Sequence, residues 1–203
     1  MAVYNQVTPE EIFHNEEVKS YIFRGNDCLG AIGFTEHGFA HAKRSSDTAR
    51  EILASLGYPQ RQCQLAAIAG YMHDIGNTVN RVDHAHSGAL MAFTILNKLN
   101  MPPEEIGLVC SAIGHHDEKT AFPVNPLAAA LILSDKSDVR RSRVRKDAVP
   151  VSYTHLCREQ CRYRDRPQRD HSGSHKRRTH TLPLVCTSFK YPAGAIIPHF
   201  SSP

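Results

Sequence analysis

The stretch from Gln60 to Gly76 constrains this chain most. Leu65, Ala66, Ala67, Ile68 and Ala69 follow one another without a polar break. A helix so uniformly apolar has no solvent face, so it predicts a central helix covered by others. The same stretch closes on His73, Asp74 and Gly76. Imidazole and carboxylate are side chains that bind borderline and hard divalent metals. A metal site at the buried end of a central helix is therefore expected.

The flanking segments supply the covering helices. Thr8, Pro9 and Glu11 form a capping-box start for a helix predicted to run to about Phe23. Gly25, Asn26 and Asp27 are expected to break it. A second helix is predicted from about Thr35 to Leu56, with Ala49, Ile52, Leu53 and Leu56 at helical spacing and Gly57 behind them. The central helix spans Gln60 to about Asp74. Three more are predicted over Asp83 to Leu99, Pro103 to about His116, and Pro126 to Asp138, with prolines punctuating the last two. No alternating strand pattern occurs. The fold class is all-α, a helical bundle.

Two regions are expected, residues 1–147 and 148–203. The formal charge of +4 is unevenly placed. The first region holds 15 Lys+Arg against 17 Asp+Glu, the second 9 against 3. The basic character therefore belongs to the tail, and a nucleic-acid reading of the whole loses its support. The tail holds half of the 12 prolines and five of the 13 histidines, and it lacks apolar periodicity. It reads as a disordered basic segment, or as out-of-frame sequence beginning near Val151 to Leu156. Cys28, Cys63 and Cys110 read as free, mostly buried thiols. With no apolar leader and no long uncharged apolar run, the protein is expected to be cytoplasmic, away from membranes.

The candidate metal ligands are His41, His73, Asp74, His84, His115, His116 and Asp135. Adjacent residues on a regular helix diverge by about 100°, so His73 and Asp74 can share a metal only where the helix ends. Gly76 is the expected cause of that end. His41, His73, Asp74 and Asp135 come from three separate helices and leave coordination positions open, as a catalytic site does. His84 and the His115–His116 pair add enough imidazoles for a second ion. Asp74 is the expected bridge, because a carboxylate has two oxygens and an imidazole one usable nitrogen. Two ions bridged in this way suit hydrolysis of a phosphate ester.

This order, H…HD…H…HH…D, resembles the HD-domain superfamily of metal-dependent phosphohydrolases. The likeness runs from about residue 35 to 145. It rests on His41 to Arg44, His73 to Gly76, His84 to Gly88, His115–His116 and Ser134 to Lys136. The resemblance implies a helical bundle in which four core ligands bind one metal and the extra histidines a second. It implies hydrolysis of a small phosphorylated substrate, commonly a nucleotide. Asp74 and Lys136 are the expected catalytic residues, and the metal is Mn, Fe, Zn, Co or Mg. Two departures narrow the substrate. The Gly-Tyr-Pro loop of the cyclic-dinucleotide branch does not follow His115 to Glu118, and Asn77 stands where a lysine often follows the central motif. The same scaffold also admits a non-catalytic metal or nucleotide sensor, and a di-iron oxygenase.

Several residues have plainer readings. His37 lies four residues before His41 and His86 two after His84, and each competes with its neighbour as a ligand. His41 and His84 fit the pattern better. His14 reads as a polar face residue. Asp138 reads as a surface group or a partner of a ligand, as do Asp117 and Glu118. Arg140, Arg141, Arg143 and Arg145 read as a solvated face. Cys157, Cys161, His175 and His180 mimic a zinc-finger count but lack the apolar residues a finger needs.

Overall fold

The computed structural model describes residues 3–145. The tail 148–203, with Cys157, Cys161, His175 and His180, lies outside the described residues. The fold is all-α. Among the described residues seven α-helices follow in chain order: α1 (Pro9–His14), α2 (Glu16–Ala31), α3 (Phe39–Ser55), α4 (Gln60–Met72), α5 (His84–Lys98), α6 (Pro103–Gly114) and α7 (Pro126–Ser137). Short 3-10 turns occupy Ile75–Thr78 and Arg141–Arg143. Among the described residues there is no strand, and no helix is long and apolar enough to cross a membrane.

The central position of α4 follows from its composition. Every residue from Leu65 to Met72 is buried, and the helix packs against α1, α3, α6 and α7. Around it, Ile12, Leu53, Ile95, Leu96, Ile113 and Leu131 close the core. Burying such side chains stabilises the fold by roughly 1.5–3 kcal/mol each before the entropy of ordering is subtracted.

The N-terminal region departs from the expected single helix. The capping box at Thr8 forms as predicted, but the helix ends at His14. Asn15 adopts an extended conformation and its side chain accepts from the Glu17 and Val18 amides. That new cap starts α2, which continues through Gly25 instead of breaking there. A side chain at Gly25 would lie 3.3 Å from Asn77 Cβ and the Thr78 amide. The glycine thus serves a close approach between α2 and the Ile75–Thr78 turn. Thr78 Oγ1 donates to the Tyr21 carbonyl at 2.8 Å and fastens the same contact.

The prediction for Gly76 also changes. The regular helix stops at Met72. His73 remains helical, and Asp74 moves to φ −97°, ψ 1° before the 3-10 turn. Gly76 lies inside that turn. A Cβ there would collide with the His84 carbonyl oxygen and sit 2.5 Å from the Gly88 amide. Its role is to let the start of α5 press against the end of α4. Gly70 does the same for α3, since a Cβ would meet Ser45 O and the Ser46 backbone at 2.8 Å.

Two arginines read as solvated prove structural. The Arg143 guanidinium donates to the Glu36 carbonyl at 2.9 Å and the Asp138 carbonyl at 2.7 Å. Arg145 donates to the carbonyls of Phe34 and Asn26. They clasp the chain after α7 onto the segment before α3, where bare carbonyls need donors. Of the three described cysteines, Cys63 is buried, Cys110 half-buried and Cys28 exposed, and all are free.

Gly70→Ala is expected to cost about 1–3 kcal/mol by forcing α3 from α4. Gly107→Ala, at an exposed position of α6 with nothing within 4 Å of the new Cβ, is expected to stabilise by about 0.5–1 kcal/mol. Urea denaturation of both variants checks the pair. Equal effects would mean that the α3–α4 contact is not set by Gly70.

Candidate metal centre

The site forms where four helices end or begin beside α4. His41 projects from the first turn of α3, and His73 and Asp74 follow the last residue of α4. His84 opens α5, His116 lies just beyond α6, and Asp135 comes from α7. All but Asp135 are buried, and Asp135 is half-buried.

Each buried histidine is oriented by the acceptor on its inner nitrogen. Nδ1 of His41 meets Asp138 Oδ2 at 2.8 Å, and Nδ1 of His73 meets the Gly70 carbonyl at 2.8 Å. Nδ1 of His84 meets the Arg81 carbonyl at 3.1 Å, and Nδ1 of His116 the Ile113 carbonyl at 2.6 Å. An acceptor at Nδ1 keeps the neutral ring's proton on that nitrogen and leaves the lone pair on Nε2. All four Nε2 atoms turn inward. His41 and His73 bring theirs to 3.2 Å, as do His84 and His116. Lone pairs facing each other at that distance repel unless a proton or cation lies between them.

Asp74 divides the cluster into two halves. Its Oδ2 lies 3.1 Å from His73 Nε2 and 3.5 Å from His41 Nε2. Asp135 Oδ1 joins this half at 3.2 Å from His41 Nε2. The other oxygen, Oδ1, lies 3.4 Å from His84 Nε2 and 3.9 Å from His116 Nε2. Three overlapping groups can each hold an ion: His41–His73–Asp74, His73–His116–Asp135, and Asp74–His84–His116. Asp74 Oδ2 is buried without a hydrogen-bond partner, an arrangement that folded proteins normally avoid. An inward carboxylate oxygen facing imidazole nitrogens fits a divalent cation.

The electrostatics agree. Burial opposes a charge on His73, but Asp74 and Asp135 outweigh it and push the ring's pKa up to about 10. Burial also opposes the charge on Asp74, and His73 beside it holds the carboxyl well below the usual range. Two carboxylates that draw a proton this strongly also draw a metal ion. The other half is different. Burial lowers His84, and burial with His73 nearby pushes His116 down to about 3. Those rings stay neutral, the form in which imidazole ligates.

Three expectations meet a different geometry. The structure does not bring His115 into the cluster: its Nδ1 meets the Ser111 carbonyl at 2.8 Å and the ring is half-buried. His116, one residue on, supplies the inward imidazole. Lys136 Nζ is held between Asp135 Oδ2 at 2.8 Å and Glu118 Oε2 at 2.7 Å. His37 precedes α3 instead of sharing its face, and its ring lies edge-on to His41 at 5.4 Å. His86 is exposed, beside Asp83.

The sequence reading gives Asn77 and Arg81 no part in the site, and Asp138 takes the ligand-partner role of its two readings. Asn77 is buried and donates to Asp74 Oδ1 at 2.8 Å. Asp138, besides holding His41, accepts from the Arg140 guanidinium. Arg81 Nη1 lies 3.3 Å from His84 Nε2. Each stands three residues from a candidate ligand, and that spacing was the available signal.

The site therefore defines a class: an all-α domain built around a buried cluster of His and Asp side chains. The HD domain family model matches residues 38–142, more than half of the chain, and the chain belongs to that family. It is also 25% identical over 158 residues to an uncharacterized protein of Methanocaldococcus jannaschii. That match takes in 67% of this chain and 61% of the relative, less than two thirds of the relative's length. No solved structure matches the chain.

Asp138→Asn keeps the shape beside His41 but weakens the acceptor that sets its tautomer. Metal affinity is expected to fall about 10–100-fold, with unchanged helical circular dichroism, as measured by calorimetric Mn titration. Unaltered affinity would show that Asp138 does not orient His41.

Proposed function

We propose that this protein is a metal-dependent phosphohydrolase that cleaves a phosphate ester of a small substrate, a nucleotide being the favoured class. The reading rests on one observation. Asp74 turns its two carboxylate oxygens to two separate sets of histidine nitrogens. A structural site closes four ligands around one ion, whereas this arrangement leaves positions open on both sides.

His41, His73, Asp74 and Asp135 are assigned to one divalent ion, and Asp74, His84 and His116 to a second. Mn, Fe, Zn, Co and Mg all suit such nitrogen and oxygen donors. Bound metal supplies a lowered pKa for water and neutralises phosphoryl oxygens. The chain's own residues do the rest. Asp74 holds the two halves in register. Asp138, Gly70, Arg81 and Ile113 fix the imidazoles through Nδ1, so little reorganisation is left for the reaction. Lys136 gives two of its three N–H donors to Asp135 and Glu118, and the third suits a phosphoryl oxygen. His115 is given no ligand role. Residues 1–147 are assigned the whole activity, with 148–203 contributing nothing to it.

Asp74→Ala is expected to abolish metal retention and phosphate release together, while helical content persists. Metal analysis and phosphate release from nucleotides, cyclic dinucleotides and phosphomonoesters test this. Full activity in the variant would sink the reading. Nucleotide binding without phosphate release in saturating Mn or Mg would replace it with a sensor. A redox-active di-iron centre without turnover would replace it with an oxygenase. Deleting residues 148–203 is expected to leave metal binding and turnover intact, and loss of metal on truncation would refute the domain assignment.

A further inference from the structure

The two halves of the cluster are not equally available. In the first, Asp74 Oδ2 faces only the candidate ligand rings, 3.1 Å from His73 Nε2 and 3.5 Å from His41 Nε2. Lys136 engages Oδ2 of Asp135 and leaves Oδ1 to face His41. In the second half the chain's own donors stand on the ligand atoms. Asn77 Nδ2 donates to Asp74 Oδ1 at 2.8 Å. His84 gives its Nδ1 proton to the Arg81 carbonyl at 3.1 Å, so its Nε2 carries the lone pair. Arg81 Nη1 points at that lone pair from 3.3 Å and also reaches Asn77 Oδ1 at 3.4 Å.

A guanidinium does not lose its proton in proteins, so Arg81 meets His84 as a fixed cation. The His84 Nε2 lone pair can serve Arg81 or a metal ion, but not both. The guanidinium is also placed 5.3 Å over the Phe34 ring, a cation–π contact that helps hold it there. These contacts are individually modest. A guanidinium pairs with a phosphate through two parallel charge-assisted bonds, far better than with one neutral imidazole nitrogen. A phosphate entering the site is therefore the natural competitor for Arg81.

We propose that Arg81 is a resident cation of the second half-site, which withholds His84 from a second metal ion until a phosphate-bearing ligand takes the guanidinium. The inference rests on the metal-site reading above and adds an order to it. The first ion binds unaided. The second follows the phosphate, and Arg81 then becomes a contact to that phosphate.

The test is Mn titration of the full-length wild type, Arg81→Gln and Arg81→Met, by calorimetry and by the paramagnetic resonance of free Mn, with and without inorganic phosphate. Wild type is expected to take one ion tightly and the second weakly. Both variants should bind the second ion about tenfold more tightly without phosphate, the gain expected when a hydrogen bond to a charged group no longer competes. Phosphate should strengthen the second ion in wild type and much less in the variants. Equal second-ion affinity in all three proteins would overturn the inference, as would an equal phosphate effect. Should either variant fail to fold, the wild-type phosphate arm decides on its own, and no gain there is a refutation. Failure of any Mn to bind would instead count against the metal-site reading as a whole.

Discussion

Asp74 stands where the ends of four helices meet, with one carboxylate oxygen turned to each side of the cluster. Two unlike surroundings depend on that single side chain. On the Oδ2 side, Asp74 and Asp135 face the rings of His41 and His73, and their pull raises the His73 pKa to about 10. On the Oδ1 side, neutral imidazoles face an arginine. Moving Asp74 by even one residue along the helix would turn both oxygens away from every partner at once. The change from α-helix at Met72 to a 3-10 turn at Ile75 is what lets two neighbouring residues face the same point.

That change of helix type is held in place by close packing rather than by a cap. Gly76 and Gly88 let the start of α5 approach the turn, and Gly25 lets α2 approach it from the other side. Gly70 brings α3 against α4 at the residue whose carbonyl anchors the His73 ring. Each contact excludes a side chain and so fixes a distance that the ligand geometry needs. Dense interiors transmit such constraints because they have little free volume to absorb them.

The inner nitrogens of the histidines tell the same story at smaller scale. Two of the four are oriented by backbone carbonyls in the last turn of a helix, the groups a helix leaves without internal partners, and a third, that of His84, by the Arg81 carbonyl just before α5. The fourth, His41, uses Asp138, which is itself steadied by Arg140 and by the chain turn that Arg143 closes. The segment after α7 therefore bears on the site through a chain of hydrogen bonds.

Much of this was legible in the sequence. The apolar run before His73 required a covered helix, and the ordered histidines and aspartates indicated one cluster. His41, His73, Asp74, His84, His116 and Asp135 converge because each falls at a helix end or on an inward face that periodicity could locate. What the sequence could not settle was direction. Whether residue 115 or 116 faces inward depends on how α6 ends, and whether Lys136 is available to substrate depends on where Glu118 returns. Asp138 reaches His41 from a distant part of the chain, and Arg81 is set over the Phe34 ring in the same way. Composition and spacing determine which side chains can bind a metal and which helices must be buried, since both follow from local chemistry and period. Only the tertiary structure decides which lone pairs meet and which are already taken, because that is a matter of distances between helix ends set by packing.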